Sequence, residues 1–153
     1  MIKTTQATPL KLIFFTVFLD LLGFGIVLPV LPLLALDFGA SALAALLLQA
    51  IFSLMQFLFA PLWGRLSDRV GRRSVLVWTT LGMAVSYLVF ALSSSLWVLF
   101  ISRALTGVFA ANIAIAQALI ADNTDEENRA AGMGLIGAAI GLGFEMGPVL
   151  AGV

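Results

Sequence analysis

The sequence predicts an all-α integral membrane protein of about five transmembrane helices, on three observations. Hydrophobic residues make up 61% of the chain and charged residues 10%, against about half and about a quarter in a soluble domain. Mean hydropathy is +1.12, so a soluble fold of this length would lack the polar residues to cover its surface. The apolar residues form long continuous runs rather than an alternating pattern, which in a bilayer means helices.

A bilayer core of about 30 Å takes about 20 helical residues. Five runs meet that length, at roughly 11–36, 42–64, 74–93, 96–121 and 130–153, and make a single membrane domain over 1–153. Lys3, Lys11 and Ala40-Ser41-Ala42 give the first run a passing likeness to a signal peptide. It is about twice the length of a signal core and carries Asp20, so it reads as a retained span. Gly23, Gly25, Pro29 and Pro32 predict a bend or local unwinding in its second half. The second run carries Gln49, Ser53 and Gln56 on one helical face. The third and fourth are separated only by Ser94 and Ser95. The fourth is lean, with Gly107, Ala110, Ala111, Ala114 and Ala118. The fifth holds Gly137-xxx-Gly141 and Gly143-xxx-Gly147 followed by Pro148, a pattern that allows close helix approach beside a hinge. Short connections predict that sequential spans are antiparallel neighbours.

Between the second and third runs lies the polar stretch Gly64-Arg65-Leu66-Ser67-Asp68-Arg69-Val70-Gly71-Arg72-Arg73, with four of the eight basic residues. Lys3 and Lys11 fall on the same side, and the two opposite loops hold no Lys or Arg. The positive-inside rule therefore places the N-terminus and this stretch in the cytoplasm, with the chain in the cell inner membrane. The fifth run reaches Val153 without a polar flank, which reads as the N-terminal part of something larger.

Net charge is zero, with no Cys and no His. No nucleic-acid partner, disulfide or metal site is implied, and proton chemistry falls to carboxylates. The chain shows no nucleophile, phosphate loop or cofactor motif, which argues against an enzyme.

Charges at membrane depth are costly and mark function. Asp20 lies about 14 Å into the first span, at 1.5 Å per residue. Arg103 lies about 11 Å into the fourth by the same rise, so the two are expected to face each other. They form either a structural ion pair or a proton switch, since an apolar setting favours the neutral carboxyl and a nearby guanidinium favours the carboxylate. Glu145, in the fifth span, faces a pore or snorkels outward. Gln117 falls within about 40° of Arg103 at 100° per residue, and Asn112 falls on the opposite side. The polar stripes line a solute path or join helices by hydrogen bonds.

These residues resemble the N-terminal half of the major facilitator superfamily, in its twelve-span drug–proton antiporter branch and near the bacterial tetracycline-type efflux proteins. The polar stretch is similar to the loop motif G-x-L-x-D-R-x-G-R-R, matched at Gly64, Leu66, Asp68, Arg69, Gly71, Arg72 and Arg73. Asp20 through Pro32 are similar to the branch's D-x-x-G-x-G-x-x-x-P-V-x-P. Arg103 and Gly107 match R-x-x-x-G. Gly143, Gly147, Pro148 and Gly152 match the antiporter motif G-x-x-x-G-P-x-x-G-G, with Ala151 replacing a glycine and Glu145 inserting a charge.

The resemblance implies export of an amphipathic small molecule such as tetracycline, in exchange for protons, by alternating access between two half-bundles. It places Asp20, Arg103, Glu145, Gln49, Gln56 and Gln117 on the proton or substrate path. It makes Asp68, Arg72 and Asp122 a cytoplasmic latch. Substrate, protons and lipid are the expected partners, with a second half as covalent continuation. Transport by these five spans alone is not expected. The competing readings are a sugar or metabolite uniporter or symporter on the same fold, and a short non-transporting membrane protein that needs a partner.

Overall fold

A computed structural model describes residues 7–152, with side chains from residue 10. Lys3 and Val153 lie outside the described residues. The chain forms six helices in order: α1 (Ala7–Asp37), α2 (Ala42–Val70), α3 (Arg72–Ala91), α4 (Leu96–Phe109), α5 (Asn112–Asn123) and α6 (Glu126–Ala151). No strand occurs among the described residues. With α4 and α5 taken together, five helical stretches are long and apolar enough to cross a membrane. This is a multi-pass membrane protein.

The expected spans are all present, with different ends. The largest difference is the polar stretch, expected as a loop. It is helical except at Gly71, because α2 runs on to Val70 and α3 starts at Arg72. Gly71 has φ +97, a conformation that side chains with a Cβ resist, and its N–H donates to the Ser67 carbonyl at 3.1 Å. One residue therefore reverses the chain. At the opposite end Ser41 caps α2, its Oγ accepting from the Ala44 N–H at 3.3 Å. The first helix stays continuous through Pro29 and Pro32, against the expectation of unwinding. The sixth likewise continues past Pro148 to a left-handed cap at Gly152.

Apart from the third and fourth spans, sequential spans are not the main neighbours. Packing is most extensive between α1 and α6 and between α2 and α4, with α3 against α4 and α5. The reason is steric. On α6, Gly143 and Gly147 lie against the α1 backbone: a Cβ at Gly143 would sit 2.8 Å from the Phe18 carbonyl oxygen, and one at Gly147 would sit 2.5 Å from Gly25 Cα. Such distances exclude any side chain, and they allow the two backbones to touch. Of the two small-residue pairs on this helix, only Gly143 and Gly147 serve the contact. Gly137 and Gly141 face open space.

Three apolar clusters fill the bundle. One joins α1, α5 and α6 through Val17, Ala116, Ile120 and Ile136. A second, at the end holding the α1–α2 and α3–α4 turns, joins α1 to α2, α3 and α4 through Leu31, Leu48, Phe90 and Leu99. A third, Val75, Leu76, Ala111 and Ile115, closes α3 on α5 near the Gly71 end. Large apolar side chains elsewhere point outward, among them Phe57 on α2, Trp97 on α4 and Val149 on α6.

The glycine contact makes a direct prediction. Gly147→Leu forces α1 and α6 apart and lowers stability by roughly 3 kcal/mol or more, the upper range for overpacking. Gly137→Ala changes it by less than about 1 kcal/mol or raises it, since only the unfolded chain loses freedom. Thermal unfolding of the two variants in detergent checks the difference.

Candidate functional site: a buried carboxylate and guanidinium either side of a broken span

The fourth span is broken. Residues 110–111 form a turn between α4 and α5, although the sequence reads as one continuous run. A break at membrane depth frees backbone carbonyls with no water to receive them. Two α2 side chains supply the missing donors: Gln56 Nε2 donates to the Ala110 carbonyl at 3.1 Å, and Trp63 Nε1 to the Val108 carbonyl at 2.6 Å. Gly107 lets this happen by seating α4 directly on the α2 backbone at Phe52 and Met55.

On one side of the break is Arg103, 1% exposed. Its Nη2 donates to Gln49 Oε1 at 3.1 Å. Its guanidinium carbon lies 4.5 Å from the Phe52 ring centroid and 5.9 Å from that of Phe24, a cation–π arrangement. Arg103 Nε and Nη1 are buried without a partner. On the other side is Asn112, the first residue of α5 and 3% exposed. Its Nδ2 donates to Asp20 Oδ2 and lies 3.4 Å from Thr80 Oγ1. Asn112 Oδ1 has no partner. Tyr87, on α3, donates its hydroxyl to the Asp20 backbone carbonyl at 3.1 Å.

The expected Asp20–Arg103 pair is therefore not formed. Both groups are buried, as their depth requires, but each has a different partner. Arg103 turns toward α2, while Asp20 is met by Asn112 from α5. The angular reading of the fourth span holds for both residues it placed. Gln117 lies on the α2 side, where it shares an open cleft of about 630 Å³ with Ser53 and Gln56. Asn112 lies on the opposite face, and that face turns out to be the one packed on Asp20. Tyr87, Thr80 and Trp63 were not singled out in the sequence. Each is a polar group on a buried or half-buried face of an apolar helix, which is the signal that would have found them.

Glu145 is exposed on α6 and joins no hydrogen bond or ion pair among the described residues. In the antiporter motif, Gly143 and Gly147 make the α1 contact already described, and Pro148 and Gly152 fall in the last turn and its cap.

At the Gly71 end, Arg72 bridges two acids. Its Nη2 pairs with Asp68 Oδ1 at 3.0 Å and its Nε with Asp122 Oδ2. The first joins residues on either side of the Gly71 turn, and the second ties α3 to the end of α5. Arg69 and Arg73 are exposed and in no ion pair among the described residues. Gly64 gives its carbonyl to Ser67 Oγ at 2.7 Å, and nothing in the structure requires a glycine there. Among the described residues no group of His, Cys, Asp or Glu is placed to hold a metal.

A multi-pass helical bundle with a buried acid on the first span and a buried base on the fourth defines a polytopic membrane protein with charge held in its interior. The profile of the Major Facilitator Superfamily matches residues 13–153, and the chain belongs to that family. Tetracycline resistance protein, class E, of Escherichia coli is 44% identical over 139 residues, covering 89% of this chain and 34% of that protein. The class C protein of Escherichia coli is 45% identical over 141 residues, covering 90% and 36%. The crystal structure of the human organic anion transporter MFSD10 (TETRAN) superposes with a TM-score of 0.85 at 31% identity, over 98% of this chain and 42% of that one. The chain spans about a third of the length of the curated relatives it matches.

Two substitutions test the break. Trp63→Phe keeps an aromatic ring beside Phe109, 5.8 Å away between centroids, but leaves the Val108 carbonyl without its donor. A loss of about 1 kcal/mol is expected. Gln56→Leu does the same for Ala110, and the double variant loses more than either. Chemical unfolding in micelles measures all three.

Proposed function

We propose that this chain supplies the first five spans of a proton-coupled exporter of an amphipathic, drug-like small molecule such as tetracycline, working by alternating access. The observation that carries the proposal is Asp20, a carboxylate 7% exposed at membrane depth, held by a neutral amide rather than by the nearby arginine. A carboxylate paired with Arg103 would be held as the anion. One paired with Asn112 is free to exchange a proton, which is what a coupling group must do. The relatives named tetracycline resistance proteins support the substrate class.

In this reading Asp20 accepts a proton from outside and releases it inside. Arg103 supplies positive charge next to the path, and the cleft shared by Ser53, Gln56 and Gln117 contributes to the substrate path. Glu145, exposed on α6, is a second carboxylate on that path. Each elementary charge crossing about 100 mV supplies about 2.3 kcal/mol. Asp68, Arg72 and Asp122 form a latch at the cytoplasmic end, with the N-terminus on the same side and the protein in the inner membrane. The covalent continuation supplies the second half against which this one rocks.

A second reading, transport of an organic anion, rests on the two unpartnered Arg103 donors, which suit an anionic group. The same assay separates the two. Inverted membrane vesicles containing the full-length protein are expected to take up tetracycline when a proton gradient is imposed. Asp20→Asn reduces that uptake at least tenfold, and Arg72→Ala slows it without abolishing substrate binding. Uptake unchanged in Asp20→Asn would overturn the coupling role. Competition by organic anions in place of tetracycline would favour the second reading.

A further inference from the structure

The unpartnered oxygen of Asn112 has a definite chemical meaning. A primary amide offers a donor and an acceptor side by side. An ionised carboxylate is an acceptor only, so it engages the Nδ2 side and leaves Oδ1 empty, which is the arrangement observed. A neutral carboxyl group is a donor and an acceptor side by side, the mirror complement of the amide. The neutral pair closes into a ring of two hydrogen bonds, with the acid O–H donating to Asn112 Oδ1 and Asn112 Nδ2 donating to the acid carbonyl. A buried polar atom without a partner is costly, and protonation of Asp20 is the event that supplies this one.

We propose that Asn112 is the positioning residue that reads the protonation state of Asp20, by pairing through one hydrogen bond with the carboxylate and through two with the acid. This rests on Asp20 as the proton carrier. The covalent change is one proton transfer: a hydronium ion gives up one O–H bond and is left as water, and one O–H bond forms on the Asp20 carboxylate, with no change of oxidation state. The consequence is mechanical. Asp20 is on α1 and Asn112 is the first residue of α5, so protonation tightens the first span onto the half of the fourth that follows the break.

The surroundings leave the amide as the reader. From α3 the Tyr87 hydroxyl is committed to the Asp20 backbone carbonyl. From α4 Arg103 is turned to Gln49. On α6 the buried residues are Gly132, Ile136, Ala139, Gly143 and Gly147, none titratable. Thr80 Oγ1 already donates to the Leu76 carbonyl at 2.7 Å, so it serves Asn112 as an acceptor and cannot also fill Oδ1.

Infrared difference spectroscopy of the chain in lipid vesicles, between neutral and acidic pH, tests this without any transport assay. The carboxyl C=O band that Asp20→Asn removes is expected to move to higher wavenumber in Asn112→Val, because the acid loses both bonds. In Asn112→Gln, which keeps an amide, it returns toward its original position. Should Asn112→Val fail to fold, the unsubstituted chain carrying carbon-13 in its asparagine side chains gives the same information. One amide band shifts on acidification, and the shift is absent in Asp20→Asn. A carboxyl band unmoved in folded Asn112→Val, or no amide shift in the unsubstituted chain, overturns the proposal. Those outcomes leave Asp20-dependent uptake standing. Conversely, intact bands with uptake unchanged in Asp20→Asn overturn the coupling role alone.

Discussion

A bilayer interior offers no hydrogen bonds, and most of this bundle follows from that single constraint. A polar group carried below the surface is costly unless another part of the chain meets it, and all but a few here are met. The broken fourth span is possible because Gln56 and Trp63 reach across from α2 to its stranded carbonyls. Arg103 is tolerated at 1% exposure because Gln49 and the face of Phe52 receive it. Ser86 and Ser102 form the same kind of tie between α3 and α4, the Ser102 hydroxyl donating to the Ser86 carbonyl at 3.1 Å. Where no polar group needs a partner, small residues let backbones touch instead, as on the α1–α6 contact.

Asp20, Asn112, Tyr87 and Arg103 come from four different helices. The Arg72 bridge at the Gly71 end has a different character. Its acids are more than half exposed, and exposed pairs contribute about 1 kcal/mol or less. Such a contact adds little rigidity to that end of the bundle.

Much of this was legible from residue order alone. Long apolar runs show the spans, and the charges Asp20 and Arg103 stand out because depth makes them expensive. The α1–α6 pairing was not legible, because chain order suggests other neighbours while the glycines at 25, 143 and 147 decide it by steric fit. The extent of α2 was hidden because Arg65, Asp68 and Arg69 look like a loop in hydropathy although their helical geometry is unbroken. The break at Ala110–Ala111 left no local mark, since both residues suit a helix. Its cause lies on another helix, in Gln56 and Trp63. Asn112 was placed on the correct face of its span, but which neighbour that face meets depends on the fold.

The broken span has one more consequence. A continuous rod of 28 residues passes a tilt from one face of the membrane to the other. Two short rods joined by a two-residue turn do not. Here α4 is bolted to α2 and α3, whereas α5 is bolted to α3, α6 and α1. The two halves of the fourth span thus share α3 but otherwise lean on different helices, and the joint between them lies within one turn of the buried acid's partner. A change of shape on one side of the membrane can be absorbed there, or passed on, according to how tightly that joint is held.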